Sequence, residues 1–142
     1  ILVADLPIEE ADEYLKAARK NKIDTVFIVS PLTSNERLKK ITKKARGFIY
    51  VVSRLGVTGA RQDLQQGTLN LLKRIKQKTR LPLCVGFGIS KSEHVKAVCK
   101  AGASGAITGS AVVKIIEKNL KNKKNMLNKI SNYIKLMKAA TK

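Results

Sequence analysis

The chain is poor in residues that build metal, disulfide or stacking sites: no tryptophan, two cysteines, one histidine and 4% aromatic residues over 142 positions. Cys84 and Cys99 stand without a Cys-x-x-Cys pair, and His94 is the single histidine, so the sequence offers neither a zinc site nor a disulfide framework. Both cysteines are expected to be small buried hydrophobes. No apolar run approaches the roughly 18 residues that a membrane-spanning helix requires. The opening residues also lack the basic-then-apolar pattern of a signal peptide, so a cytoplasmic protein without a membrane partner is expected. The chain opens on ILVADLP, already inside an apolar run and without an initiator methionine, and is expected to be a piece of a longer protein.

Acidic residues are scarce as well, 10 against 29 basic ones, for a formal charge of +19. Such an excess invites a nucleic-acid reading. Its distribution argues otherwise: lysines are spread over every segment, and no aromatic residues interleave with them to form a stacking surface. No nucleic-acid partner is therefore expected. The length and a hydrophobic share of 44% suit one domain with a real core.

What the sequence does contain is an alternation of two periods. Apolar runs with strand character occur at 1–6, 25–29, 48–52, 83–86 and 105–108, and each is followed by a segment with helical spacing. Five consecutive βα units predict an α/β fold with parallel strands buried on both faces. In the first helical segment the acids Glu9, Glu10, Asp12 and Glu13 precede Lys16, Arg19, Lys20 and Lys22, as the helix dipole favours, and Ile8, Ala11, Leu15 and Ala18 form the buried stripe. In SKSEHVKAVCKAG, Ser90 and Glu93 read as a capping box, Val95 and Val98 as core, Gly102 as a stop and His94 as a surface residue. In the last helix, Met126, Leu127, Ile130, Tyr133, Ile134 and Met137 form a packing stripe. Two architectures accept this pattern: a doubly wound sheet of flavodoxin type, or the later part of an eight-stranded (β/α) barrel. The start inside an apolar run and the glycine pattern favour the barrel.

Three successive strands end in small, glycine-bearing loops, SRLGVTGA at 53–60, GFGIS at 86–90 and TGSA at 108–111. Parallel strands present these loops on one side. Glycine lets backbone N–H groups approach a ligand closely, and Gly109-Ser110 stands at the start of a helix whose first N–H groups carry partial positive charge. A phosphate group is the expected ligand. Ser110 has two compatible readings, a helix cap and a phosphate ligand.

The stretches LVADLP, FIYVVSRLGVTGA, GFGISKSEHV and GAITGSAVVKIIEKNL, in this order and spacing, resemble the tryptophan synthase α-subunit family over the full 142 residues. The resemblance implies a (β/α)8 TIM barrel, of which this chain supplies about the last five βα units as a single domain with strands 1–3 absent. The activity it implies is retro-aldol cleavage of indole-3-glycerol phosphate to indole and glyceraldehyde 3-phosphate. Carried over by position, Gly59, Gly88, Gly109 and Ser110 match the substrate phosphate-binding residues, and Tyr50, Phe87, Ile28 and Ala4 match the indole pocket. Thr58 matches the threonine of a closing loop, and Asp5 a position facing the partner subunit. The chain departs from the commoner pattern at Leu55 and Thr108. Asp5 and Asp63 lie near strand ends but form no carboxylate pair, and the resemblance places both catalytic carboxylates upstream, so no catalytic residue is assigned in this segment. No metal or cofactor is expected in this subunit. The implied partner is the β subunit, which carries pyridoxal phosphate, in an α2β2 assembly.

Overall fold

The computed structural model describes residues 1–52, 66–86 and 88–142. Its elements alternate as the two sequence periods require: α1 (Asp12–Lys20), β1 (Phe27–Val29), α2 (Asn35–Lys44), β2 (Ile49–Val52), α3 (Gln66–Lys76), β3 (Leu83–Gly86), α4 (Ser92–Lys100), β4 (Gly105–Ala106), α5 (Ser110–Glu117) and α6 (Lys123–Ala139). The strands form one parallel sheet in the order β1-β2-β3-β4. Successive parallel strands joined by crossover helices give the arrangement of a (β/α) barrel rather than the reversed strand order of a doubly wound sheet.

The first apolar run is not a strand. Only a single bridge, Leu2 to Val26, continues the sheet beyond β1, and the chain turns at once, with the Leu6 N–H donating to the Val3 carbonyl at 3.5 Å. The last strand is likewise shorter than its apolar run, covering Gly105–Ala106 alone. Strand character needs a row of partners, and among the described residues β4 pairs with β3 alone, while residues 1–6 make a single bridge to Val26, just before β1.

Burial along the strands alternates where the sequence suggests continuous burial. Phe27, Val29, Ile49, Val51, Leu83 and Val85 are buried, whereas Ile28, Tyr50, Val52 and Cys84 are half-buried. Helices cover the first set, which joins one core cluster with Ile8, Ala11 and Leu15 of the α1 region, Leu38 and Ile41 of α2, Leu72 and Ile75 of α3, and Val95 and Val98 of α4. Successive side chains on a strand point to opposite faces, so the second set forms the other, more open face. Cys84 and Cys99 are accordingly half-buried rather than fully buried.

The α1 stripe is buried as the periodicity requires, and Gly102, with φ +101°, ends α4. On α6, Met137 is buried and Tyr133 packs against the core, but Leu127 is 53% and Ile134 43% exposed. The helix packs against α4 and α5.

Candidate functional site

The C-terminal ends of the parallel strands lie on one side of the sheet, and the candidate residues fall there. One register row across the open face runs Ile28, Tyr50, Cys84, Gly105. Two of the expected indole-pocket residues, Ile28 and Tyr50, are therefore direct neighbours. Tyr50 leans along its strand, because a Cβ built at Gly86 would collide with its hydroxyl and ring. Burial raises the Tyr50 phenol above its ordinary pKa.

A cavity of about 370 Å³ opens beside this row, lined by Ala4, Asp5, Ile28, Ser30, Thr33 and Arg37 among others. Ala4 and Ile28 meet in it, and Asp5 stands in the same wall. Its rim is held by polar contacts. The Ser30 N–H donates to Thr33 Oγ1 at 3.0 Å, Arg74 of α3 donates to the Thr33 carbonyl at 2.7 Å, and Arg37 pairs with Glu9 at 3.1 Å. Ser34 caps α2, accepting from the Arg37 N–H at 3.2 Å. The Arg74–Thr33 and Arg37–Glu9 contacts were not legible in the sequence, because each joins residues distant in the chain.

Beyond β3 and β4 the two small loops emerge from adjacent strands, paired Cys84 with Gly105 and Val85 with Ala106. Gly88 has φ +82°, a conformation that favours glycine, and its backbone is exposed. Gly109 is the N-cap of α5 and meets nothing within 4 Å of an added Cβ. Ser110 is the first helical residue rather than the cap, a position that falls to Gly109, which has no side chain to bond. The Gly109 carbonyl accepts from the Val112 and Val113 N–H groups at 2.9 and 3.1 Å. The backbone N–H groups of Gly88, Ile89, Ser110 and Ala111 meet no acceptor among the described residues. Gly59, Thr58, Asp63 and Phe87 lie outside the described residues.

Two residues from the outer helices reach these loops. His94 is buried at 5% exposure, not on the surface, and its Nδ1 lies 3.1 Å from the Gly88 carbonyl and 3.4 Å from the Ser90 N. The expected capping box is thus replaced. Helix α4 begins after Lys91 without a side-chain cap, and the Ser92 hydroxyl bonds Glu93 at 3.1 Å. The Thr108 hydroxyl, just before Gly109, lies 2.7 Å from the Tyr133 hydroxyl of α6. The sequence carries a faint signal for His94, a polar ring four residues after Ser90, one turn into a helix that starts directly behind the loop.

Parallel strands in sequence order, backed by helices and ending in glycine-bearing loops at one mouth, define a (β/α)-barrel protein. All 142 residues match the family described as tryptophan synthase alpha chain, and the chain belongs to that family. It is 51% identical over 140 residues to the tryptophan synthase alpha chain of Methanoregula boonei, covering 99% of this chain and 53% of the relative. The alpha chain of Methanothermobacter thermautotrophicus is 49% identical over 140 residues, with 99% and 52% covered. Among solved structures, a chain of the tryptophan synthase α2β2 complex of Pyrococcus furiosus superposes with a TM-score of 0.86 at 40% identity, covering 98% of this chain and 55% of that one. The separate α-subunit of the same organism gives 0.84 at 38%. The chain spans about half the length of the relatives it matches.

Proposed function

We propose that this chain serves the cleavage of indole-3-glycerol phosphate to indole and glyceraldehyde 3-phosphate, as the later part of an α-subunit barrel. The observation that carries this reading is the emergence of the Gly88 loop and the Gly109-Ser110 helix start from neighbouring parallel strands at one mouth. Backbone N–H groups from both converge where a phosphate monoester would sit, with the dipole of α5 adding partial positive charge. By the family resemblance Gly59 is assigned to the same phosphate and Thr58 to loop closure, both outside the described residues. Ile28, Tyr50, Ala4 and Phe87 form the wall against the indole ring, and Asp5 faces the β subunit.

The reaction breaks the bond between indole C3 and the first glycerol carbon. C3 must gain a proton while the hydroxyl on that carbon loses one, which suits two carboxyl groups on opposite sides of the substrate. Among the described residues Asp5 is the one carboxylate that lines the cavity, Glu9 at its rim being paired with Arg37. The acid and the base belong, in this reading, to the part of the family fold that this chain does not span. The pyridoxal phosphate implied for the β subunit likewise falls outside this chain, so none of its residues is assigned to hold it. A cytoplasmic setting and an α2β2 assembly complete the proposal.

The test is indole release from indole-3-glycerol phosphate. The 142 residues alone should release none, and addition of a polypeptide covering the first three βα units of the family should restore release. Turnover by the 142-residue chain alone would overturn the division of labour.

A further inference from the structure

The chain has a single histidine, and it sits buried directly behind the loop that carries Gly88. Its Nδ1 faces two backbone groups of opposite character: the Gly88 carbonyl at 3.1 Å, which can only accept, and the Ser90 N–H at 3.4 Å, which can only donate. One ring nitrogen cannot serve both. If Nδ1 carried no hydrogen, its lone pair would face the carbonyl lone pairs at hydrogen-bonding distance, a repulsive contact in a buried place. With a hydrogen on Nδ1, the 3.1 Å contact, the shorter of the two, becomes an ordinary N–H···O bond, and the longer 3.4 Å approach of the Ser90 N–H is given up.

We propose that His94 is the positioning residue of the anion-binding loop, with Nδ1 protonated and donating to the Gly88 carbonyl; the role rests on the phosphate reading above. The Gly88–Ile89 peptide is planar and trans, so a carbonyl held toward α4 turns the Ile89 N–H the opposite way, away from α4. The same bond holds Gly88 in its left-handed conformation at φ +82°, which sets the direction of the loop's N–H groups. Because the carbonyl accepts a bond while the N–H of the same peptide is offered to an anion, the two bonds polarise each other in the same sense. The imidazole itself is buried, and its contact with the Gly88 carbonyl is partly shielded from water.

The single histidine makes the inference directly readable. In the ¹⁵N-labelled 142-residue chain, the imidazole Nδ1 should resonate in the range of a nitrogen bearing hydrogen at neutral pH. An Nδ1 resonance of the bare-nitrogen type would overturn the proposal before any variant is made. Glycerol 3-phosphate is then titrated while the Gly88, Ile89 and Ser110 amide signals are followed. His94→Leu should weaken binding about fivefold, the effect of one hydrogen bond on positioning, and His94→Gln, which keeps an N–H donor, should restore most of it. Loss of thermal stability without a change in affinity would reduce His94 to a packing residue and defeat the proposal. If the unaltered chain shows no movement of these amides, the phosphate reading fails and this role falls with it. Binding by the unaltered chain that His94→Leu leaves intact defeats only the role of His94.

Discussion

The Tyr50 hydroxyl on β2 occupies the space that a Cβ at Gly86 on β3 would need. Tyr50 pairs in register with Cys84, so its ring leans two residues along the neighbouring strand, toward the loop end of the sheet. Gly86 is buried, and its lack of a side chain is what lets an aromatic ring stand there. Gly86→Ala should therefore displace Tyr50 and destabilise the chain by about 1–3 kcal/mol, the usual cost of overpacking. Tyr50→Ala in the same chain should recover much of this loss. A double-mutant cycle by urea unfolding measures the coupling, and additive effects within about 0.3 kcal/mol would show that the two residues do not compete.

The Thr108–Tyr133 hydroxyl pair ties α6 to the residue before Gly109. Thr108→Val and Tyr133→Phe remove the same bond from opposite ends, and each should cost about 0.5–1.5 kcal/mol. The double variant should cost little more than the worse single one. Amide exchange along α6 should accelerate in all three. Strict additivity would mean that the hydroxyls act independently.

Burial pushes the Cys84 and Cys99 thiols above the ordinary thiol range. The thiolate is the reactive form, so at pH 8 each holds a smaller thiolate fraction than a free thiol does. Alkylation by iodoacetamide should be slower in the folded chain than in urea, with the folded rate profile displaced to higher pH. Equal rates in both states would contradict this.

Asp12 is held below the usual carboxylate range by its 2.6 Å hydrogen bond to Lys44 and then by the charge of that lysine. A depressed folded pKa contributes stability above the ordinary carboxylate value, and this is lost as pH falls through the folded one. Lys44→Met should raise the Asp12 pKa in a carbonyl-detected titration. Because the pair is exposed, the melting temperature should hardly move, and the difference should shrink in high salt. An unchanged Asp12 titration would remove Lys44 as the cause.

Much of the architecture is local and could be read from the chain. The stripe Ile8, Ala11, Leu15, Ala18 is buried as its spacing requires, and the loops that carry Gly88 and Gly109 each follow a strand. These features need only a hydrophobic period and a residue that tolerates a positive φ or a close approach. The same local reading misplaced His94, since which side of α4 is covered depends on the Gly88 loop folding back over it.

The alternation of strand and helix, the parallel direction of the strands and the position of small residues at the strand ends were already set by the sequence, whereas the strand order came from the structure. Tertiary structure alone decided which apolar runs became strands. Residues 1–6 have the composition of one but only the bridge from Leu2 to Val26, while Ile49–Val52, with a neighbour on each side, is a full strand. It also decided that Tyr50 and Gly86 share one space and that His94 and Tyr133 stand behind the loops. The reason is the same throughout: a backbone hydrogen-bond row and a buried polar contact join residues far apart in the chain, and no local period records the partner.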